Sequence, residues 1–348
     1  MKIAVLLSGG VDSSVALQLL KNEGTHELRA YYLKVWLEDE VVLAGDCPWE
    51  EDVRYVRAVC NQLDIPLEIV PLQTEYLNCV VSYVLNELKA GRTPSPDILC
   101  NRHIKFGAFL NHVDDCARVA SRQYAQIIQD ENCALVHRAA DTAKDQTYFL
   151  SNITQNQLQQ LLFPIGHLTK HEVRTLADRF GLPTKNRKDS QGICFLGKIN
   201  YRDFIELHLG QNEGTILEKG SDRELGEHKG YWFYTIGQRF GLGLPGGPWY
   251  VVAKDLQHNI IYVSHRDDNN SRQRQHFSIE NTNWISGTPD RTDLQCKLRH
   301  GPETIACQLD FSHLPIKVSL NQSDSGIAPG QHAVFYNGNH CLGGGIIS

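Results

Sequence analysis

The chain opens with an apolar run that passes directly into a glycine-rich turn and then into a helical pattern. Residues 3–7 read Ile-Ala-Val-Leu-Leu, and the heptad Ser8–Ser14 reads Ser-Gly-Gly-Val-Asp-Ser-Ser. A buried strand, a glycine turn and a helix N-terminus together form an anion site, because the backbone approaches closely and the helix dipole is positive there. This order predicts a phosphate-binding loop at the carboxyl end of a strand in an α/β sheet.

Every residue of the heptad is a candidate for nucleotide binding: Ser8, Gly9, Gly10, Val11, Asp12, Ser13 and Ser14. An ordinary glycine turn between a strand and a helix is the alternative. The chain has no Gly-x-x-x-x-Gly-Lys-Ser/Thr motif, so the loop is not the lysine-bearing phosphate loop of kinases and GTPases. Because Asp12 repels phosphate directly, we expect it to act through Mg²⁺ or as a structural cap.

Strand-like and helix-like segments alternate after this loop. Residues 28–35 and 67–70 are strand-like, whereas apolar residues fall on one helical face in 53–63 and again in 77–88. Thr169 and Glu172 form a capping box that opens a later helix. The alternation predicts a doubly wound parallel sheet with helices on both faces, which we assign to a catalytic domain over residues 1–208.

The sequence changes character beyond about Tyr201. Glycine and proline become dense between residues 237 and 248, and apolar residues alternate with period two in 305–311 and 316–320. These patterns predict two small β-rich modules, one over residues 209–275 and a β-barrel over residues 276–348.

Composition and charge limit the function only in part. The chain has 34 Lys and Arg against 40 Asp and Glu, a net charge of -6 that by itself argues against nucleic acid. Basic residues nevertheless cluster near Cys100 and before Cys194. The N-terminal apolar run is too short for a signal peptide, and no run is long enough to span a membrane, so we expect a cytoplasmic protein that does not associate with membranes. Its ten cysteines should therefore be reduced, and any disulfide catalytic.

Two of these cysteines lie in segments that favour reactive thiols. Cys100 ends the segment Gly91–Cys100, between two helical patterns and close to Arg and Lys residues, and Cys194 follows Lys185, Arg187 and Lys188. A thiol near a helix N-terminus and cationic side chains has a lowered pKa and more nucleophilic thiolate character. For either cysteine alone, a small buried apolar residue is the alternative.

Several long segments together make the sequence recognisable. The heptad resembles the PP-loop of ATP pyrophosphatases, which cleave ATP to AMP and pyrophosphate while adenylating a substrate. The whole chain resembles the tRNA-specific 2-thiouridylases through this heptad and five further segments in order: Gly91–Asn101, Lys144–Leu150, Asp189–Phe195, Thr235–Arg239 and Cys341–Gly345.

The resemblance implies a mechanism and a set of site residues. ATP, with Mg²⁺, adenylates the C2 oxygen of the wobble uridine in tRNAs of the Lys, Glu and Gln type. A persulfide on Cys194, supplied by a cysteine desulfurase or a sulfur-relay protein, then attacks that carbon, and Cys100 resolves it to leave a disulfide. Asp12 joins the two cysteines as a catalytic residue, and Leu33 and Arg122 join the heptad at the nucleotide. The two β-rich modules, 209–275 and 276–348, are both implied to bind tRNA. The implied tRNA contacts are Ser95, Pro96, Asp97, Lys144, Asp145, Gln146, Arg299 and His300.

The chain departs from this family where Arg122 and Gln123 replace a Gly-His pair at the end of a strand, and where Ser95 and His300 replace Asn and Tyr. The Arg122 guanidinium can turn outward to phosphate or tRNA, or fill the adenine pocket and weaken ATP binding. We expect a working enzyme with weaker ATP affinity. The alternatives are a catalytically impaired tRNA-binding relative and another PP-loop synthetase, which would leave both cysteine segments without a role.

Overall fold

A computed structural model describes residues 1–35, 48–130, 133–189, 200–265 and 274–348. The first part of the chain builds a five-stranded sheet in the order β3-β2-β1-β4-β7, with every neighbouring pair parallel. Its strands are β1 (Lys2–Leu6), β2 (Glu27–Lys34), β3 (Leu67–Pro71), β4 (Arg118–Ala120) and β7 (Leu161–Leu162). The predicted parallel α/β sheet is therefore confirmed.

Helices cover both faces of this sheet. Side chains alternate along β1, so that Ile3 and Val5 pack in one apolar core while Ala4 and Leu6 pack in another on the opposite face. The α-helices of the described chain are α1 (Val11–Glu23), α2 (Pro48–Leu63), α3 (Gln73–Tyr76), α4 (Ser82–Lys89), α5 (Pro96–Leu99), α6 (Phe109–His112), α7 (Gln155–Leu158), α8 (Lys170–Arg179) and α9 (Tyr201–Leu209), and π-helical turns lie at Leu77–Val81 and Cys100–Ala108. The capping box of Thr169 and Glu172 is present at the start of α8.

A four-stranded sheet in the order β10-β11-β8-β9 forms the central module. Its strands are β8 (Gly214–Glu218), β9 (Glu224–His228), β10 (Trp249–Asp255) and β11 (Ile260–His265). Tyr234 and Trp249 are buried in its apolar core.

The last part of the chain forms a closed β-barrel, as predicted. Six strands follow the order β12-β15-β14-β13-β16-β17, and pairing of β12 with β17 closes the barrel. They are β12 (Arg274–Trp284), β13 (Asp293–Lys297), β14 (Ile305–Asp310), β15 (Ile316–Asp324), β16 (His332–Asn337) and β17 (His340–Ile347).

A hairpin from the first part of the chain extends the barrel sheet, which the sequence did not predict. The hairpin consists of β5 (Ala125–Gln129) and β6 (Ala134–Arg138), and β6 pairs antiparallel with β17 through His137 and Val136. The hairpin leaves the parallel sheet directly after β4. As a result, residues that follow the carboxyl end of β4 are held against the barrel.

Candidate active site

The Ser8–Ser14 heptad forms a tight turn that leads from β1 into α1. The helix starts at Val11, and the hydroxyls of Ser13 and Ser14 donate to the Gly10 carbonyl at 3.1 and 2.9 Å. Gly9 has a φ of 72°, and a Cβ there would lie 2.7 Å from the Asp52 carbonyl oxygen, so only glycine fits. The loop sits at the carboxyl end of β1, between β2 and β4 where the strand order reverses, which is the ligand position of open α/β sheets.

Asp12 is the centre of a polar cluster at this loop. Its Oδ1 accepts hydrogen bonds from the Tyr124 hydroxyl at 3.0 Å and from Lys170 Nζ at 2.6 Å. The Arg122 guanidinium lies 4.0 Å from Oδ2, with 28% of the side chain exposed. The Arg122 guanidinium therefore lies beside the phosphate loop.

Asp189 is the second carboxylate of the cluster. Lys170 Nζ lies 2.9 Å from its Oδ1, Arg174 donates to the same oxygen, and Lys144 approaches Oδ2 at 3.4 Å. Burial raises the pKa of Asp189, but hydrogen bonds and charge from Lys170 and Arg174 outweigh it and lower the pKa to about 2. Residues 190–199 follow Asp189 directly, so Cys194 and its distance from Cys100 lie outside the described residues.

Arg187 fixes the other side of the loop. Its Nη1 donates to the Gly9 carbonyl at 2.8 Å, and its Nη2 pairs with Asp52 at 2.6 Å. The guanidinium also lies over the Tyr55 ring at 4.6 Å. Of the three basic residues that precede Cys194, Arg187 thus contacts the phosphate loop itself.

Cys100 is buried, with 4% of its surface exposed. Helical backbone continues from α5 into a π-helical stretch Cys100–Ala108, which is kinked at Phe106, so the thiol lies one turn inside a helix that starts at Pro96. The nearby cations have partners of their own: Arg102 donates to the carbonyl of Asn152, and Lys105 donates to Asn101 at 3.1 Å.

The segment that leads to Cys100 is held by both β-rich modules. Lys254 Nζ in β10 donates to the Gly91 carbonyl at 3.0 Å, and the Thr93 hydroxyl donates to Thr235 at 3.3 Å. The Thr93 amide donates to the carbonyl of Pro329, next to the barrel, at 2.8 Å. All three parts of the chain therefore meet at this segment.

The residues implied to contact tRNA have different surroundings in the structure. Lys144 is exposed beside Asp189, whereas Asp145 is buried and paired with the equally buried Lys297 of β13 at 2.8 Å. The Gln146 side chain accepts from the Tyr124 amide at 3.0 Å. The carboxylate of Asp145 thus faces the barrel and not the solvent.

The barrel residues of this set lie close to the same segment. Arg299 makes a two-pronged ion pair with Asp324 at 2.9 and 3.0 Å. His300 Nε2 donates to the Asp145 carbonyl at 3.1 Å, and its ring stacks on Phe149 at 4.7 Å between ring centres.

Four candidates remain, three at the start of α5 and one in β2. Ser95 bonds to the buried Tyr148 hydroxyl, Pro96 is buried at the first position of α5, and Asp97 is half-buried. Leu33 is half-buried near the carboxyl end of β2, where it packs against the core.

Sequence reasoning missed three functional candidates, Tyr124, Lys170 and Arg174. Lys170 is the first residue of α8, and its capping box was interpreted as purely structural. The signal that was available is the missing lysine in the heptad, because a phosphate loop without one needs a cation from elsewhere in the fold. Across the described residues, no group of three or more His, Cys, Asp and Glu side chains is arranged to hold a metal ion, and no helix is long and apolar enough to cross a membrane.

Comparison with known proteins identifies the family. The chain matches models described as the tRNA methyl transferase HUP domain over residues 1–198, the tRNA methyl transferase PRC-barrel domain over 202–265 and the aminomethyltransferase beta-barrel domain over 274–347.

Curated relatives match the chain from end to end. It is 43% identical to tRNA-specific 2-thiouridylase MnmA 2 of Bacteroides fragilis strain YCH46, with all of both chains covered. It is 43% identical to MnmA of Parabacteroides distasonis and 42% identical to MnmA of Porphyromonas gingivalis strain ATCC 33277, in each case over 100% of this chain and 99% of the relative. The chain therefore belongs to the tRNA-specific 2-thiouridylases and is a tRNA-uridine 2-sulfurtransferase that thiolates the wobble uridine.

Proposed function

We propose that the Ser8–Ser14 heptad binds the phosphates of ATP and that the enzyme releases AMP and pyrophosphate. The family implies the use of ATP. The single observation that carries the proposal is the loop at the carboxyl end of β1, where Lys170, Arg122 and Arg187 converge on a turn of small residues. Mg²⁺ usually binds one or two carboxylates together with phosphate oxygens, and Asp12 is the carboxylate at this loop that fits that role.

The proposed reaction has two chemical steps. The uridine C2 oxygen attacks the α-phosphorus, the bond to the bridging oxygen breaks, and pyrophosphate leaves with the electron pair. The terminal sulfur of a Cys194 persulfide then attacks C2 and AMP leaves. Cys100 attacks the Cys194 sulfur, which releases 2-thiouridine and leaves a Cys100–Cys194 disulfide that a thiol reductant must reduce.

The polar residues around the loop are proposed to bind tRNA. Lys144 and Arg299 offer cations, and His300 with Phe149 offers a stacked aromatic surface near the Ser95–Asp97 turn. A uridine must leave its stack to be modified, and such surfaces hold an extruded base. The proposed substrates are tRNAs of the Lys, Glu and Gln type, and the proposed sulfur source is a cysteine desulfurase or a relay protein.

The first prediction tests the division of labour between the nucleotide and the cysteines. With α-³²P-ATP, unmodified tRNA and a persulfide donor, the wild type should form AMP and pyrophosphate, and release of ADP would exclude the proposal. Cys194→Ser should still adenylate tRNA yet form no 2-thiouridine, because activation precedes sulfur transfer. Mass spectrometry of tRNA digests measures the adenylated uridine and the 2-thiouridine.

The matched control is Cys79→Ser, since Cys79 is an exposed cysteine away from the loop and should be replaceable without loss. Cys100→Ser should abolish turnover, which would exclude a PP-loop synthetase that has no use for this thiol. If Cys194→Ser folds and binds ATP but no longer adenylates tRNA, the assigned roles are wrong. The named relatives, all thiouridylases, give no support to the alternative of an impaired tRNA binder.

A further inference from the structure

Lys170 occupies the position from which a cation reaches the phosphate loop. The heptad itself contains no lysine, and Asp12 is its one charged residue. Lys170 Nζ lies 2.6 Å from the Asp12 carboxylate and 2.9 Å from the Asp189 carboxylate, and only 15% of the side chain is exposed. A lysine that is absent from the loop sequence is thus supplied by a helix more than 150 residues further along the chain.

The backbone of Lys170 is fixed in place. Thr169 caps α8 through a complete capping box, and the Lys170 amide donates to Asp141 Oδ2 at 2.9 Å. The side chain therefore extends from a rigid helix start toward the loop. Such pre-organisation is what a group needs if it is to stabilise charge without rearranging during the reaction.

The charges around the ammonium group show what it can bind. Asp189 is shared among Lys170, Arg174 and Lys144, and Asp12 is shared between Lys170 and Arg122. Four cationic side chains thus contact two carboxylates, with Asp141 occupied by the Lys170 amide. Since Arg174 and Lys144 remain on Asp189, Lys170 can turn to an anion at the loop without leaving that carboxylate unpaired.

We propose that Lys170 is a catalytic residue that donates to the phosphate chain of ATP and stabilises the pyrophosphate leaving group. As the uridine oxygen bonds to the α-phosphorus, the electron pair of the breaking bond collects on the bridging oxygen. The ammonium group offsets this charge through a hydrogen bond and transfers no proton. Asp189 acts as a positioning residue that holds the ammonium toward the loop. This assignment rests on the proposed cleavage of ATP to AMP and pyrophosphate.

The test compares Lys170→Met, Lys170→Gln and Lys170→Arg with the wild type in the full-length protein. Single-turnover formation of pyrophosphate with saturating ATP and tRNA should slow by about 10²- to 10³-fold in the Met and Gln variants, and Arg should restore part of the rate. Pyrophosphate alone, titrated by calorimetry, should bind about 10- to 100-fold more weakly to the Met variant, while AMP binding changes by less than about threefold. Lys2→Met, which breaks an exposed pair with Asp115, is the matched control and should behave as wild type.

Two outcomes would overturn the assignment. One is a Met or Gln variant that forms pyrophosphate within threefold of the wild-type rate. The other is equal weakening of AMP and pyrophosphate binding together with lowered thermal stability and no recovery in the Arg variant, because that pattern describes a structural role. If the wild type itself releases ADP, the proposed cleavage of ATP fails instead. Should Lys170→Met not fold, the Gln variant, which keeps hydrogen-bonding capacity at this position, gives the decisive rate.

Discussion

At the scale of the residue, Arg122 shows how a side chain that breaks a family pattern can still suit the site. A glycine at this position leaves room beside a nucleotide, and an arginine removes it. In the structure the guanidinium lies 4.0 Å from the Asp12 carboxylate of the phosphate loop. This position favours phosphate binding over obstruction of the adenine pocket, although the sequence alone led us to expect weaker ATP binding.

The second prediction follows from this position. Arg122→Gly, alone and with Gln123→His, should weaken ATP binding by about tenfold, because a charge-assisted contact to phosphate is lost. Isothermal titration of ATP measures the change. Arg223→Ala, which removes an exposed arginine from a pair with Glu218, serves as the control. Tighter binding in the double variant would instead mean that Arg122 obstructs the nucleotide, and undetectable binding in the wild type would favour a nucleotide-dead tRNA binder.

At the scale of the element, the regular secondary structure was the most predictable part of the molecule. The parallel strands and α2 follow from apolar periodicity, which the core enforces. The burial of Asp145 could not be predicted, because a Lys-Asp-Gln sequence is typical of an exposed segment. Its buried partner, Lys297, lies on a strand that is distant in the sequence. The β5–β6 hairpin was missed for a similar reason: its partner β17 lies at the far end of the sequence, and local pattern carries no record of pairing.

Strand β10 gives the third prediction, through the lysine that it places under the Gly91 carbonyl. Burial lowers the pKa of Lys254 from 10.5 to about 8. Between pH 8 and 10.5 the unfolded chain binds this proton and the native chain does not, so Lys254 makes the free energy of unfolding rise with pH in this window. Below pH 8 both states are protonated and the contribution is constant.

Urea unfolding at intervals from pH 7 to pH 10.5 measures this effect. Lys254→Met should remove the contribution of Lys254 to the rise in the free energy of unfolding with pH. Lys219→Met, at an exposed position of the same module, should keep the wild-type dependence on pH. Equal slopes in the wild type and Lys254→Met would contradict the assignment. Lys254→Met should also lower the rate of sulfur transfer, since Gly91 begins the segment that leads to Cys100.

At the scale of the whole molecule, buried polar contacts join the catalytic part of the chain to the barrel. Asp145 and Lys297 form an ion pair between them with 2% and 1% of the side chains exposed, and the Asp145 carboxylate also accepts from Thr147. Tyr148 donates to the carbonyl of His332 at 3.1 Å. A buried pair costs desolvation, so its net contribution to stability is small, but breaking it leaves an uncompensated charge.

The fourth prediction concerns this pair. Lys297→Met should lower the free energy of unfolding by about 3–5 kcal/mol, because Asp145 stays buried and unpaired. Urea denaturation measures the change, and Lys297→Met with Asp145→Leu should recover much of it. Lys185→Met, which breaks an exposed pair with Asp178, should change stability by about 1 kcal/mol or less. If Lys297→Met also lowers the free energy of unfolding by only about 1 kcal/mol, water reaches the Asp145 carboxylate.

The pairing of β6 with β17 also sets an order of events during synthesis. The hairpin leaves the ribosome early, whereas the strand that covers its edge emerges after the whole central module and most of the barrel. Until then the hairpin presents an open strand edge, with Val136 and Ile127 near it, to every other nascent chain. Correct maturation therefore depends on how long this edge stays uncovered, and slow translation of the barrel should cost more functional enzyme than slow translation of the nucleotide-binding region.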